Sequence, residues 1–129
     1  MTTRTARAKY QARSRAKIGS QGEDLVATYL RGRGYHIVGR NVRVKRWELD
    51  IIARGSGVIA VCEVRTRTNA KLVHPAKTFD RSKQHKIRQA ALHWYGTQKG
   101  LRARLRIDAA AVVLEGPNGP QVEYYEGAF

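Results

Sequence analysis

Residues 47–67 run Trp47-Glu48-Leu49-Asp50-Ile51-Ile52-Ala53-Arg54-Gly55-Ser56-Gly57-Val58-Ile59-Ala60-Val61-Cys62-Glu63-Val64-Arg65-Thr66-Arg67. Two runs rich in Ile and Val flank a short Arg-Gly-Ser-Gly stretch, the pattern of two strands joined by a hairpin turn. Side chains two apart on a strand share a face. Glu48 and Asp50 therefore point one way from the first strand, and Glu63 and Arg65 share a face of the second. A turn centred on Gly55-Ser56 places Glu48 opposite Glu63 and Asp50 opposite Val61. Asp50 and Glu63 are then diagonal neighbours, about 7–8 Å apart and within joint reach. A three-residue turn would flip one strand and break the set.

Three acids on one face repel, and Asp50 and Glu63 lie inside apolar runs where an unpaired charge is costly. A divalent cation relieves both problems, and Mg²⁺ takes carboxylate oxygens, waters and substrate phosphates together. Such an ion polarises a phosphodiester and activates water, and Arg65 beside it would stabilise charge developing on phosphate. Plainer readings stand beside these. Glu23 fits a capping-box acid three residues after Ser20. Glu48 fits a surface partner of Lys45 or Arg46. Asp50 or Glu63 fits a structural ion pair with Arg65.

Working outward, Leu25, Val26, Tyr29 and Leu30 form an apolar stripe that predicts a helix from about Ser20, ended by Gly32 and Gly34. Glu23 lies at the edge of that stripe. Tyr35 to Lys45 predicts a strand with a bulge at Asn41. Residues 68–79 read as a loop containing Pro75. Asp80 caps a second helix running to about Lys99, with Ile87, Ala90, Ala91, Trp94 and Tyr95 as its apolar face. Leu101 to Leu114 and Val122 to Tyr125 close the chain as strands, around the turn of residues 116–120. The expected order is α-β-β-β-α-β-β, an α/β fold with one sheet between helices.

The 129 residues suit a single domain. Lys plus Arg number 25 against 10 acids, a net charge of +15. That excess calls for a polyanionic partner, and a phosphate backbone fits it best. Residues 1–17 hold six cations and no acid, so a disordered basic arm is expected there, ahead of a domain over 18–129. The arm serves either phosphate binding or solubility. Arg43, Arg65, Arg67, Lys83, Lys86 and Arg88 are the expected nucleic-acid contacts. Charge alone does not separate DNA from RNA. No apolar run is long enough to span a bilayer and no signal-peptide core follows Met1, so a cytoplasmic protein with no membrane partner is expected. The single cysteine, Cys62, reads as a free core thiol. His36, His74, His85 and His93 are scattered and form no ligand set.

An acid in the first helix, then an Asp, then Glu-x-Lys on the next strand resembles the PD-(D/E)XK nuclease signature. Gly19-x-x-Gly22-Glu23-Asp24-Leu25-Val26-Ala27, Gly34-Tyr35, Arg40-Asn41-Val42-Arg43, the two runs of the hairpin, Pro75, Lys83, Ala90-Ala91, Arg106-Ile107-Asp108 and Ala128-Phe129 together resemble the YraN family of Holliday-junction-resolvase-like proteins. The resemblance implies a restriction-endonuclease-like αβββαβ core with a mixed central sheet flanked by helices. It implies a site of Glu23, Asp50, Glu63 and residue 65, with Asp50, Glu63 and Glu48 toward Mg²⁺ or Mn²⁺. It further implies a branched or duplex DNA substrate and a homodimer. Asp108 matches a family position without an assigned role. Two positions depart from the pattern: Trp47 stands where Gly is usual, and Arg65 where Lys is usual. Arginine holds phosphate but does not give up its proton, so it cannot act as a base.

Overall fold

The computed structural model describes residues 4–69, 71 and 75–129, with only the backbone path for 4–13 and 75–76. His74 and part of the expected loop lie outside the described residues. The elements are α1 (Arg4–Gly32), β1 (His36–Val44), β2 (Trp47–Gly55), β3 (Val58–Arg67), α2 (Pro75–Thr78), α3 (Arg81–Gly96), β4 (Arg104–Val113) and β5 (Gln121–Tyr125). The five strands form one sheet in the order β1-β2-β3-β4-β5. β3 and β4 are parallel, joined through α3, and every other pair is antiparallel. This mixed sheet between helices is the restriction-endonuclease-like core that the family resemblance implies.

Two apolar clusters cover the two faces. α1 packs Val26, Ala27 and Leu30 against Ile51, Ala53, Cys62, Ala110 and Val112. α3 packs Ile87, Ala90 and Ala91 against Leu49, Ile52, Ile59, Val61 and Ala109. Asp80 caps α3 as expected, its Oδ1 accepting from the Lys83 N–H at 2.8 Å.

Three local expectations are corrected. First, α1 begins at Arg4, so the segment expected to be irregular follows a helical path from that residue, and Ser20 and Glu23 lie mid-helix rather than in a capping box. The segment is mostly Ala, Arg, Lys and Gln, which favour helix without any apolar stripe. Second, the irregularity in β1 falls between Ile37 and Gly39, not at Asn41. Asn41 instead adopts a left-handed backbone with φ 51°, which Asn tolerates better than most residues.

Third, the hairpin turns on Ser56 and Gly57, whose φ values of 51° and 72° are the double-positive pattern of a type I′ turn. Ile51 then faces Cys62 and Gly55 faces Val58. This is a two-residue shift from the expected register, so the shared face survives while the partners change. Continued by one pair, it sets Asp50 directly opposite Glu63.

α1 crosses β3 at Gly22, where an added Cβ would stand 1.8 Å from Thr66 Oγ1 and 2.8 Å from Thr66 Cβ. The backbone must move to admit it. Gly22→Ala is therefore expected to cost about 1–3 kcal/mol despite its better helix propensity. Gly19→Ala, three residues earlier with nothing within 4 Å, should gain up to about 1 kcal/mol. Denaturant melts of the two variants would give this opposite ranking, and equal effects would contradict so close a crossing.

Candidate active site

β2 and β3 carry the acids, and α1, α3 and β1 surround them. Burial reaches Glu63 most, leaving it 6% exposed. The Asp50 and Glu63 carboxyls are close enough to act directly on each other's ionisation. Asp50 Oδ2 also accepts from the Val64 backbone N–H at 2.9 Å, whereas Glu63 Oε1 is buried with no hydrogen-bond partner. Burial raises both carboxyls. The nearby Asp50 charge adds to the rise at Glu63, while Lys83 on α3 pulls both back toward ionisation. A carboxyl pair in contact holds a proton unless cations replace it.

Glu23 reaches the same patch from α1, its carboxyl also raised, first by burial and then by Asp50. Asn41 lies between the pairs Arg40–Ile51 and Val42–Leu49, and so opposite Asp50. With its amide oriented by its neighbours, its nitrogen donates to Glu23 Oε1 and Glu48 Oε1 at 3.0 Å each. Arg40 stands 4.0 Å from Glu23 and 2.7 Å from Asp24. Arg40 and Asn41 thus hold the acids together, a role that sequence reading misses. The Arg40-Asn41 pair carried its only signal, an Asn inside a strand.

Glu48, Asp50 and Glu63 line a pocket of about 510 Å³ whose wall includes Trp47, Phe79, Arg65, Lys83 and Lys86. Trp47 stands at the pocket and also packs on the α3-side core. The Arg65 guanidinium stacks 4.5 Å over the Phe79 ring, with Lys83 Nζ 5.5 Å from the same ring. The structure thus brings together Glu23, Glu48, Asp50, Glu63, Arg65, Lys83 and Lys86. Arg43, Arg67 and Arg88 are exposed and do not line this pocket. Nor do His36, His85 and His93. Among the described residues, no three His, Cys, Asp or Glu side chains are grouped to hold a metal ion between them. Asp50 and Glu63 are the two carboxyls that could offer hard-oxygen donors side by side.

Asp108 belongs elsewhere. It is fully buried beside Cys62 on β3. It accepts from Arg106 Nε and the Gly127 N–H at Oδ1, both 2.8 Å, and from Arg106 Nη2 at 2.9 Å and the Tyr124 hydroxyl at Oδ2. Arg106 also bonds the Tyr35 hydroxyl at 3.0 Å. Every oxygen is satisfied, so Asp108 ties β4, β5 and the β1 entry together. Cys62 is a buried free thiol, as expected.

The fold and the pocket define a restriction-endonuclease-like α/β protein with a buried carboxyl pair in a cation-walled cleft. The family model described as "Uncharacterised protein family UPF0102" matches residues 22–112, and the chain belongs to that family, the YraN family of the sequence resemblance. It is 39% identical to a UPF0102 protein of Geotalea uraniireducens over 112 residues, covering 87% of this chain and 88% of the relative. A Nocardia farcinica UPF0102 protein is 35% identical with the same coverage. One from Acidothermus cellulolyticus is 33% identical over 128 residues, 92% of this chain and 97% of the relative. Among the described residues no helix is long and apolar enough to cross a membrane.

Proposed function

We propose that this chain binds nucleic acid and hydrolyses phosphodiester bonds of structured or branched DNA with Mg²⁺ or Mn²⁺ at Asp50 and Glu63. The observation that carries this reading is the pair itself. Two carboxyls face each other across the hairpin in a mostly buried place, one oxygen has no partner, and the pocket opens to solvent among cations. A pure binder of phosphate gains nothing from such a pair. Two carboxylates, with waters and phosphate oxygens completing the shell, suit Mg²⁺, which is usually held by one or two carboxylates plus substrate. When bound, the ion supplies Lewis-acid polarisation of the phosphodiester and a more acidic water.

The chain's own residues do the rest. Asp50 and Glu63 anchor that charge, while Asn41 holds Glu23 and Glu48 at the rim. Arg65, held against Phe79, presents a fixed positive charge to the phosphate. It never acts as the base, because a guanidinium keeps its proton.

That last point supports a second reading, a nucleic-acid-binding protein on this fold that does not cleave. A four-way junction incubated with Mn²⁺ separates the two. Cleavage by the wild-type chain that disappears in Asp50→Ala is the expected result. Binding without cleavage in wild type would sink the hydrolase, and cleavage gained only in Arg65→Lys would assign the defect to residue 65.

A further inference from the structure

Among the described residues, few cations are paired with acids within the fold. Arg40 and Arg106 are bound to acids within the fold. By contrast, Arg15, Arg65, Arg67, Lys71 and Lys77 pair with no acid among the described residues, and they gather at one place, the C-terminal end of β3. A groove of about 580 Å³ runs there between α1 and β3, lined by Arg15, Arg65, Thr66, Arg67, Thr68 and Asn69. A second, of about 390 Å³, lies on the α2 side, lined by Arg65, Thr66, Arg67, Lys77 and Thr78. Lys71 joins Arg65 and Arg67 in a small adjoining recess. No acid lines any of the three spaces.

Arg65 is the hinge of the arrangement, since it walls both the carboxyl pocket and these grooves. Arg67 is two residues on along the same strand and shares its face, about 6.6 Å further from the acids. We propose that the end of β3 is a track for one nucleic-acid strand. Its sugar-phosphate backbone leaves the carboxyl pocket over Arg65, passes Arg67 and is held by Lys77 and Lys71. Spaces of this volume hold ligand-sized groups, enough for a nucleotide or two of one strand. The Thr68 hydroxyl and the Asn69 amide are uncharged donors of the kind typical of backbone contacts, which position a strand without reading its bases. The track rests on the nucleic-acid-binding reading above and extends it: the substrate's backbone is held along one strand on one side of the pocket.

Binding measured without divalent ions isolates the track from cleavage. Fluorescence anisotropy of a labelled oligothymidylate in EDTA is followed across a salt series. The double variant Arg67→Ala with Lys77→Ala is expected to bind about tenfold more weakly. Its log–log salt slope should be shallower by about 1.4, at about 0.7 per single-strand contact. Lys99→Ala with Arg102→Ala removes the same charge elsewhere and should weaken binding far less. Oligouridylate should show the same loss, because the phosphate chain is what the groove holds. Equal weakening by the two double variants, no weakening by the groove variant, loss confined to one sugar type, or no wild-type binding at low salt would each overturn the track. Full binding with no cleavage would leave the track standing and remove only the hydrolase. Unchanged binding in the groove variant beside intact cleavage would do the reverse.

Discussion

Glu63→Gln is expected to stabilise the metal-free chain at about pH 8 by about 2–5 kcal/mol while abolishing metal-dependent cleavage. The Glu63 carboxyl is pushed up from 4.5 to about 9, first by burial and then by Asp50. Between those values the folded chain holds a proton that the unfolded chain has released. Linkage then makes stability fall as pH rises through that window, with the loss complete above about 9. Glutamine keeps the shape, needs no proton, and offers an N–H to Asp50. The variant should therefore match wild type near pH 4.5 and exceed it increasingly toward pH 9, by at least roughly 6 °C in Tm at pH 8.

Mn²⁺ should narrow that gap by stabilising wild type alone, with a proton released on binding. Thermal melts from about pH 5 to 9, with and without Mn²⁺, check all of this. A variant less stable than wild type at pH 8, or a difference that ignores pH, would mean that Glu63 serves the fold.

The hairpin and its acids were legible because period-two patterning and β-branched residues leave little choice of element. The turn was harder, since Gly55-Ser56-Gly57 permits two placements. The structure takes the one with Gly at the second turn position, as type I′ geometry favours. Gly55 is needed elsewhere, against Tyr35, where a Cβ would come within 2.9 Å of the ring. The N-terminal extent of α1 was hidden because helix propensity without an apolar stripe looks like a polar arm. Asn41 and Arg40 were invisible as site residues, because their partners on α1 and β2 are brought to them only by tertiary packing. The departure at Arg65 was plain in the sequence, but its stacking on Phe79 depends on a ring fourteen residues away.

Asp108→Ala should lower stability by about 3–5 kcal/mol, the range for breaking a buried pair from one side. Against a typical total of about 5–15 kcal/mol, that brings the chain near unfolding. The loss has three sources: Arg106 keeps a charge with little solvent, Tyr124 loses its acceptor, and the Gly127 N–H is orphaned. Asp108→Asn should cost less, but one end of its amide meets donors where it has only hydrogens to offer. Replacing both partners, Arg106→Met with Asp108→Leu, should cost less than Asp108→Ala alone, because no charge is left stranded. Urea titrations of the three variants give the ranking, and a double variant worse than the single would contradict it.

The contrast with Glu63 is the sharper test of what the two buried acids are for. Asp108 has four donors and its loss should destabilise, whereas Glu63 has an oxygen with none and its neutralisation should stabilise. That pair of results would mark Glu63 as an acid whose partner arrives from outside the fold.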